Sequence, residues 1–207
     1  MELVIFDDAL FHLLRTSRTV NSPAGNALLV GVGGSGKQSL TKLCAHICKH
    51  RFFQIALTKT YGEKSLMEDI KELFGTVCNA YGQVSFIITD QEIKSDGFLE
   101  LINSLLATGE IPGMLTKDDK EMFMLGVKPH LQKELGKGVE PTTGQLVNFF
   151  LNRVKDCLHI ILAFSPVGTK FRTRASMFPS LFSQCSIDWF LPWPKEALVD
   201  VSGRFIG

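Results

Sequence analysis

The stretch Gly31-Val-Gly-Gly-Ser-Gly-Lys37-Gln-Ser39 restricts what this chain can fold into more than any other, because an apolar run, Asn26-Ala-Leu-Leu-Val30, leads into it and a helical pattern leads out. A buried strand, a glycine turn and a helix N-terminus make a phosphate cradle. The glycines pass through backbone conformations that other residues resist, so successive N–H groups and the positive end of the helix converge on an anion. Lys37 then reaches the outer phosphates.

Two patterns compete for these residues. Gly31, Gly33 and Gly36 satisfy G-x-G-x-x-G, the dinucleotide fingerprint, which also wants a carboxylate about 20 positions on to hold a ribose hydroxyl. The second strand, near Phe52 to Leu57, ends instead in Thr58-Lys59-Thr60, and the first carboxylate is Glu63. The P-loop pattern G-x-x-x-x-G-K-[ST] fits Gly31, Gly36 and Lys37 but finds Gln38 where a magnesium-binding hydroxyl should stand. The P-loop is preferred, because a lysine directly after the last glycine has a task there and none in a dinucleotide fold. Gly33, Gly34, Ser35 and Ser39 complete the candidate phosphate-binding set.

At 207 residues and 45% hydrophobic, the chain can bury one sizeable core. A net charge of +1 offers no electrostatic case for nucleic acid or an acidic membrane surface. No apolar run approaches the roughly 18 residues of a membrane-spanning helix, and the N-terminus lacks the pattern of a signal peptide. The expected compartment is intracellular, and five cysteines fit reduced thiols. Cys44, His46, Cys48 and His50 suggest a metal site at first sight. On a helix, however, Cys44 and Cys48 share one face and His46 and His50 another, so four ligands cannot converge; Cys44 and Cys48 are read as small buried residues.

Short β-rich runs alternate with helical patterns, the signature of a parallel sheet covered on both faces. The pattern predicts helix over 4–15, strand 27–31, helix 37–50, strand 52–57, helix 64–79, strand 84–89, helix 98–107, helix 142–157, strand 158–164 and a short strand over 185–189. From Gly109 to Gly144, glycines and prolines surround the charged run Lys117-Asp-Asp-Lys-Glu121, which reads as a partly helical surface insertion. The terminus Val201-Ser-Gly-Arg-Phe-Ile-Gly207 stops inside a helical pattern and reads as a cut from something longer.

Further chemistry gathers at strand ends. Val84-Ser-Phe-Ile-Ile-Thr-Asp90 is a buried strand ending in a carboxylate, where a P-loop fold keeps the aspartate that orients magnesium. Gln91 follows it, and glutamine cannot take a proton. Glu92, on a chain still extended, points away and is a poor substitute unless a bulge re-aims it. The amide oxygen of Gln38 can ligate magnesium, while Ser39 is turned about 100° around the helix axis. Ser165, after the strand Leu158 to Phe164, either orients a water or phosphate or simply starts a Ser-Pro turn. Arg172 and Arg174 are candidates for an arginine finger toward a neighbouring subunit's nucleotide, or for solvated charge. Thr116-Lys-Asp-Asp119 is similar to the base-reading motif of GTPases but follows no buried strand, and is discounted.

Together, Met1-Glu-Leu-Val-Ile-Phe-Asp-Asp-Ala, the loop through Thr41, Leu106-Ala-Thr-Gly-Glu-Ile-Pro112, Phe164-Ser-Pro-Val-Gly168 and Ile187-Asp-Trp-Phe190 with Trp193-Pro resemble the fourth AAA+ module of axonemal dynein heavy chains, over nearly the whole chain. The resemblance implies residues 1–207 as one AAA+ large α/β subdomain, with a five-stranded parallel sheet in order 5-1-4-3-2 and an insertion at about 109–144. It implies a ring whose first module is the main ATPase and whose fourth binds nucleotide and tunes the motor. The small helical lid and the microtubule-binding stalk would lie beyond Gly207. By position, Val4 and Ile5 would line the adenine pocket, Gly33 to Ser39 the phosphates and Asp90 the magnesium side, with Ser165 as first sensor. In ATPases of this type a glutamate usually follows the aspartate to activate water.

The expected function is therefore a regulatory module holding ATP or ADP, with Mg2+, in a ciliary or flagellar axoneme. Its partners would be neighbouring AAA+ modules and, through the stalk, the microtubule. The alternatives are a competent ATPase using Glu92 as base, a structural ring segment with a relic P-loop and, distantly, a dinucleotide oxidoreductase.

Overall fold

A computed structural model describes residues 7–78, 82–136, 139–167 and 169–192. Five parallel strands run through it: β1 (Ala27–Gly31), β2 (Arg51–Gln54), β3 (Val84–Thr89), β4 (Leu158–Phe164) and β5 (Ser186–Phe190), in the order β2-β3-β4-β1-β5. This is the expected order read from the opposite edge. Every residue of β1, β3 and β4 is buried, as near-continuous apolar strands covered on both faces should be. Arg51 and Ile187 are exposed on the two outer strands.

Alternation along β1 divides its side chains between two cores. Leu28 and Val30 join a large cluster with Phe86, Ile160 and Phe164, and Ala27 and Leu29 join a smaller one with Ile87 and Ile161. Helices α1 (Asp7–Val20) and α2 (Lys37–Ile47) cover the smaller cluster with Leu13, Val20, Leu40 and Cys44. The larger lies under α3 (Glu63–Cys78), α4 (Asp96–Thr108), α5 (Lys117–Leu135) and α6 (Thr143–Cys157).

Several elements depart from expectation. Helix α2 stops at Ile47 rather than at 50 because Lys49 turns left-handed, at φ 59°. Strand β2 leaves the sheet at Gln54, and the loop beyond it is held by Lys94 Nζ, which donates to the carbonyls of Thr58 and Tyr61 at 2.7 and 3.0 Å. Two helices not anticipated, α7 (Thr169–Met177) and α8 (Ser180–Ser183), follow β4.

The insertion is the main correction. Its helix α5 buries Phe123, Val127 and Leu131, spaced four apart on one face, and the Phe123 ring stacks on Phe150 with centroids 5.7 Å apart. The segment is therefore part of the core, although Gly126 and Pro129 interrupt the helical pattern in the sequence. Thr116-Lys-Asp-Asp119 is a capping box: the Thr116 hydroxyl accepts the Asp119 N–H and the Asp119 carboxylate accepts the Thr116 N–H. Thr142 and Gln145 do the same for α6. Of the cysteines read as buried, Cys44 is fully so, beside Ser17 of α1, whereas Cys48 is half-buried and accepts from Asn21 Nδ2 at 3.1 Å.

The sheet end away from the glycine loop is tied by polar groups. Asn26 accepts the Ile160 N–H on its side-chain oxygen and the Ser186 N–H on its carbonyl, both at 2.8 Å, joining β1 to both neighbours. Buried His159 places Nδ1 2.8 Å from the Gly25 carbonyl and Nε2 3.0 Å from Gln83 Oε1, and stacks on His50. Burial pushes the His159 pKa down to about 4; the Gly25 contact opposes this and His50 adds to it.

Candidate functional site

Strands β1, β3 and β4 are neighbours, so the loops leaving their C-terminal ends meet along one edge. They enclose a cavity of about 350 Å³ lined by Gly31, Gly33 to Ser39, Thr89, Asp90, Gln91, Ala163 and Ser165. All the glycine-loop residues singled out from sequence therefore share one pocket with Asp90, Gln91 and Ser165. Val4 and Ile5 lie outside the described residues.

The loop's shape follows from its glycines. Gly34 and Gly36 have φ of 78° and 87°, the left-handed region that side chains resist, and Gly36 is the N-cap of α2. A Cβ on Gly33 or Gly34 would meet nothing within 4 Å, whereas one on Gly31 would fall 2.6 Å from Phe190 Cβ. The loop thus rests against β5 at its start and borders open space at its crest.

Lys37 is buried, and its ammonium donates to the Gly31 carbonyl at 2.6 Å, the Val32 carbonyl at 2.8 Å and the Ser35 hydroxyl at 2.9 Å. Desolvation by burial lowers its pKa, and the nearby Asp90 carboxylate acts in the opposite direction. A buried cation, a helix N-terminus and a glycine loop bordering an open cavity suit a phosphate-type anion. Gln38 and Ser39, both in the lining, and Asp90 are the hard oxygen donors that could serve a magnesium ion.

Asp90 is engaged on both oxygens. Oδ2 accepts the Ser165 N–H at 2.6 Å, and Oδ1 accepts from Arg174 Nη1. The Ser165 hydroxyl in turn accepts the Val167 N–H at 3.4 Å, the turn geometry of a Ser-Pro start, while the residue still borders the cavity.

Gln91 lines the pocket and Glu92 does not. The chain is not extended here: the Glu92 N–H donates to the Thr89 carbonyl at 3.1 Å, and this turn folds the side chain back onto the sheet. Glu92 is 4% exposed; Oε2 accepts the Thr89 N–H at 2.6 Å and Oε1 accepts from Gln54 Nε2 at 2.8 Å. As a candidate base it is displaced from the cavity and its lone pairs are in use.

The two arginines of α7 separate. Arg172 is exposed, as a residue directed at a neighbour would be. Arg174 instead turns inward onto Asp90, with its guanidinium 4.9 Å from the centre of the Phe164 ring. No local pattern announces this contact, which spans 84 residues. The Gln54–Glu92 pair was likewise beyond sequence reasoning, since it joins the ends of two strands.

A family profile described as "P-loop containing dynein motor region D4" matches residues 1–207. The chain is 48% identical over 206 residues to dynein axonemal heavy chain 5 of Mus musculus and 50% identical over 207 residues to the dynein gamma chain, flagellar outer arm, of Chlamydomonas reinhardtii. It is 44% identical to dynein axonemal heavy chain 8 of Homo sapiens over 207 residues. All of this chain is covered in each comparison, but it spans only 4%, 4% and 5% of the lengths of those relatives. With a phosphate cradle on a five-stranded parallel sheet and a family match from end to end, the chain belongs to the P-loop containing dynein motor region D4 family.

Proposed function

We propose that this chain is a regulatory module that holds ATP or ADP within a dynein motor ring and hydrolyses little on its own. The observation that carries the reading is the contrast at the end of β3: Gln91 borders the cavity while Glu92 is folded away from it. The residues of the binding half are present, with Lys37, whose ammonium would exchange its contacts to Gly31, Val32 and Ser35 for the outer phosphates, and the glycine loop from Gly33 to Ser39 around them. The half that would activate water lacks a carboxylate facing the cavity beside Asp90.

Magnesium, when bound, would supply charge to the phosphate oxygens, and the chain's donors for it are Asp90 with the Gln38 amide oxygen or the Ser39 hydroxyl. Val4 and Ile5 are assigned to the adenine. The motor setting is supported by the names of the relatives, axonemal dynein heavy chains and a flagellar outer-arm chain; the neighbouring AAA+ modules and the microtubule are the partners that the resemblance of the sequence to the fourth AAA+ module implies.

Calorimetric titration with ADP and ATP, with and without magnesium, tests the proposal. Binding is expected, and Lys37→Ala should weaken it by about tenfold to a hundredfold, the worth of charge-assisted hydrogen bonds to phosphate. Absence of binding at millimolar nucleotide, or an affinity indifferent to Lys37→Ala, would overturn it. Single-turnover hydrolysis should be slow in the wild type and rise in Gln91→Glu.

A further inference from the structure

Helix α7 contributes no fully buried side chain, so its hold on the domain rests on few contacts. Phe171 packs edge-on to Phe182 at 5.4 Å and to Trp189 at 6.1 Å, and Arg174 reaches Asp90. The Arg174 side chain is 11% exposed and lies over the face of Phe164, a ring that is itself fully buried. Low exposure shields the guanidinium, though Asp90 is 34% exposed toward the cavity, and the ring face adds a second attraction for the cation.

Asp90 is thus already served. One oxygen holds a backbone N–H, the other a guanidinium, and the Lys37 ammonium is near enough to feel the same carboxylate. A divalent cation that approaches Asp90 meets a compensated charge, an existing donor on each oxygen and a like-charged neighbour. We propose that Arg174 is a built-in counterion that competes with the divalent metal for Asp90, making nucleotide binding nearly independent of magnesium. The proposal deepens the nucleotide-binding reading above and rests on it for the ligand. Arg174 is on this account a positioning residue acting through Asp90, in place of the finger or solvated charge that the sequence left open for it.

The test compares wild type with Arg174→Met, which leaves an unbranched apolar side chain beside Phe164 but removes the charge, and Arg174→Lys, which restores a charge. ADP affinity is measured in a chelator and in millimolar magnesium. Wild type should change by less than about threefold between the two conditions, Arg174→Met should gain at least about tenfold in magnesium, and Arg174→Lys should return toward wild type. A magnesium response in Arg174→Met equal to that of wild type, or a wild type that itself tightens about tenfold with magnesium, would overturn the proposal.

A second arm needs no nucleotide: the fraction of Mn2+ bound to the protein alone, read from the loss of the free-ion paramagnetic resonance signal. Arg174→Met should retain Mn2+ several-fold more tightly than wild type, and equal retention would sink the competition. Failure of wild type to bind ADP in either condition would remove the nucleotide reading while leaving this arm to decide the role of Arg174.

Discussion

Glu92 shows how one change of chain direction reassigns a side chain. Three residues after the end of β3, its carboxylate accepts both the Thr89 N–H and the Gln54 amide, so its removal leaves one buried and one half-buried donor without an acceptor. Glu92→Ala should therefore cost about 2–3 kcal/mol in urea denaturation. Glu92→Gln keeps an acceptor oxygen and should leave ATP turnover unaltered; a fall in turnover at undiminished stability would restore Glu92 as a base. The sequence was informative where chemistry is local: the glycines with φ near 80° and Lys37 follow from a nine-residue pattern, and Asp90 from its place at a strand end. It singled out Arg174 but not its partner, which stands 84 positions away, and the assumption of an extended chain past Asp90 missed the turn that parks Glu92.

Among the elements, α5 carries the clearest lesson. Gly126 and Pro129 are the residues that end helices in most contexts, yet the run continues from Lys117 to Leu135 because tertiary burial of one face outweighs weak propensity. The spacing of Phe123, Val127 and Leu131 was the signal that could have found it. Phe123 meets Phe74 edge-on and Phe150 face to face, so Phe123→Ala should destabilise the domain by about 3–5 kcal/mol, measured by denaturant midpoint. Thr116→Ala removes only the cap and should cost about 1 kcal/mol. The strands of the sheet centre were legible to the residue because continuous apolar runs leave little choice. At the outer strand β2 the pattern ran on past Gln54, where the backbone departs to meet Lys94.

At the scale of the molecule, the sheet has a polar, titratable end and an end that carries the glycine loop and its cavity. His159 is buried neutral between the Gly25 carbonyl and Gln83, with a folded-state pKa near 4 against about 6.5 for an exposed histidine. The unfolded chain therefore takes up the proton first as pH falls, so the stability from this group is whole above about pH 6.5 and declines until about pH 4. The decline should reach about 3 kcal/mol, seen as a falling denaturation midpoint that flattens over this window in His159→Gln. At the other end, Gly31 pairs with Phe190 across β1 and β5 and leaves no room for so much as a methyl group between them. The rim strand and the root of the loop are therefore seated on one another, and a pull on the outer border of the sheet, where Ile187 and Trp189 stand open to solvent, would be felt first at the glycine loop.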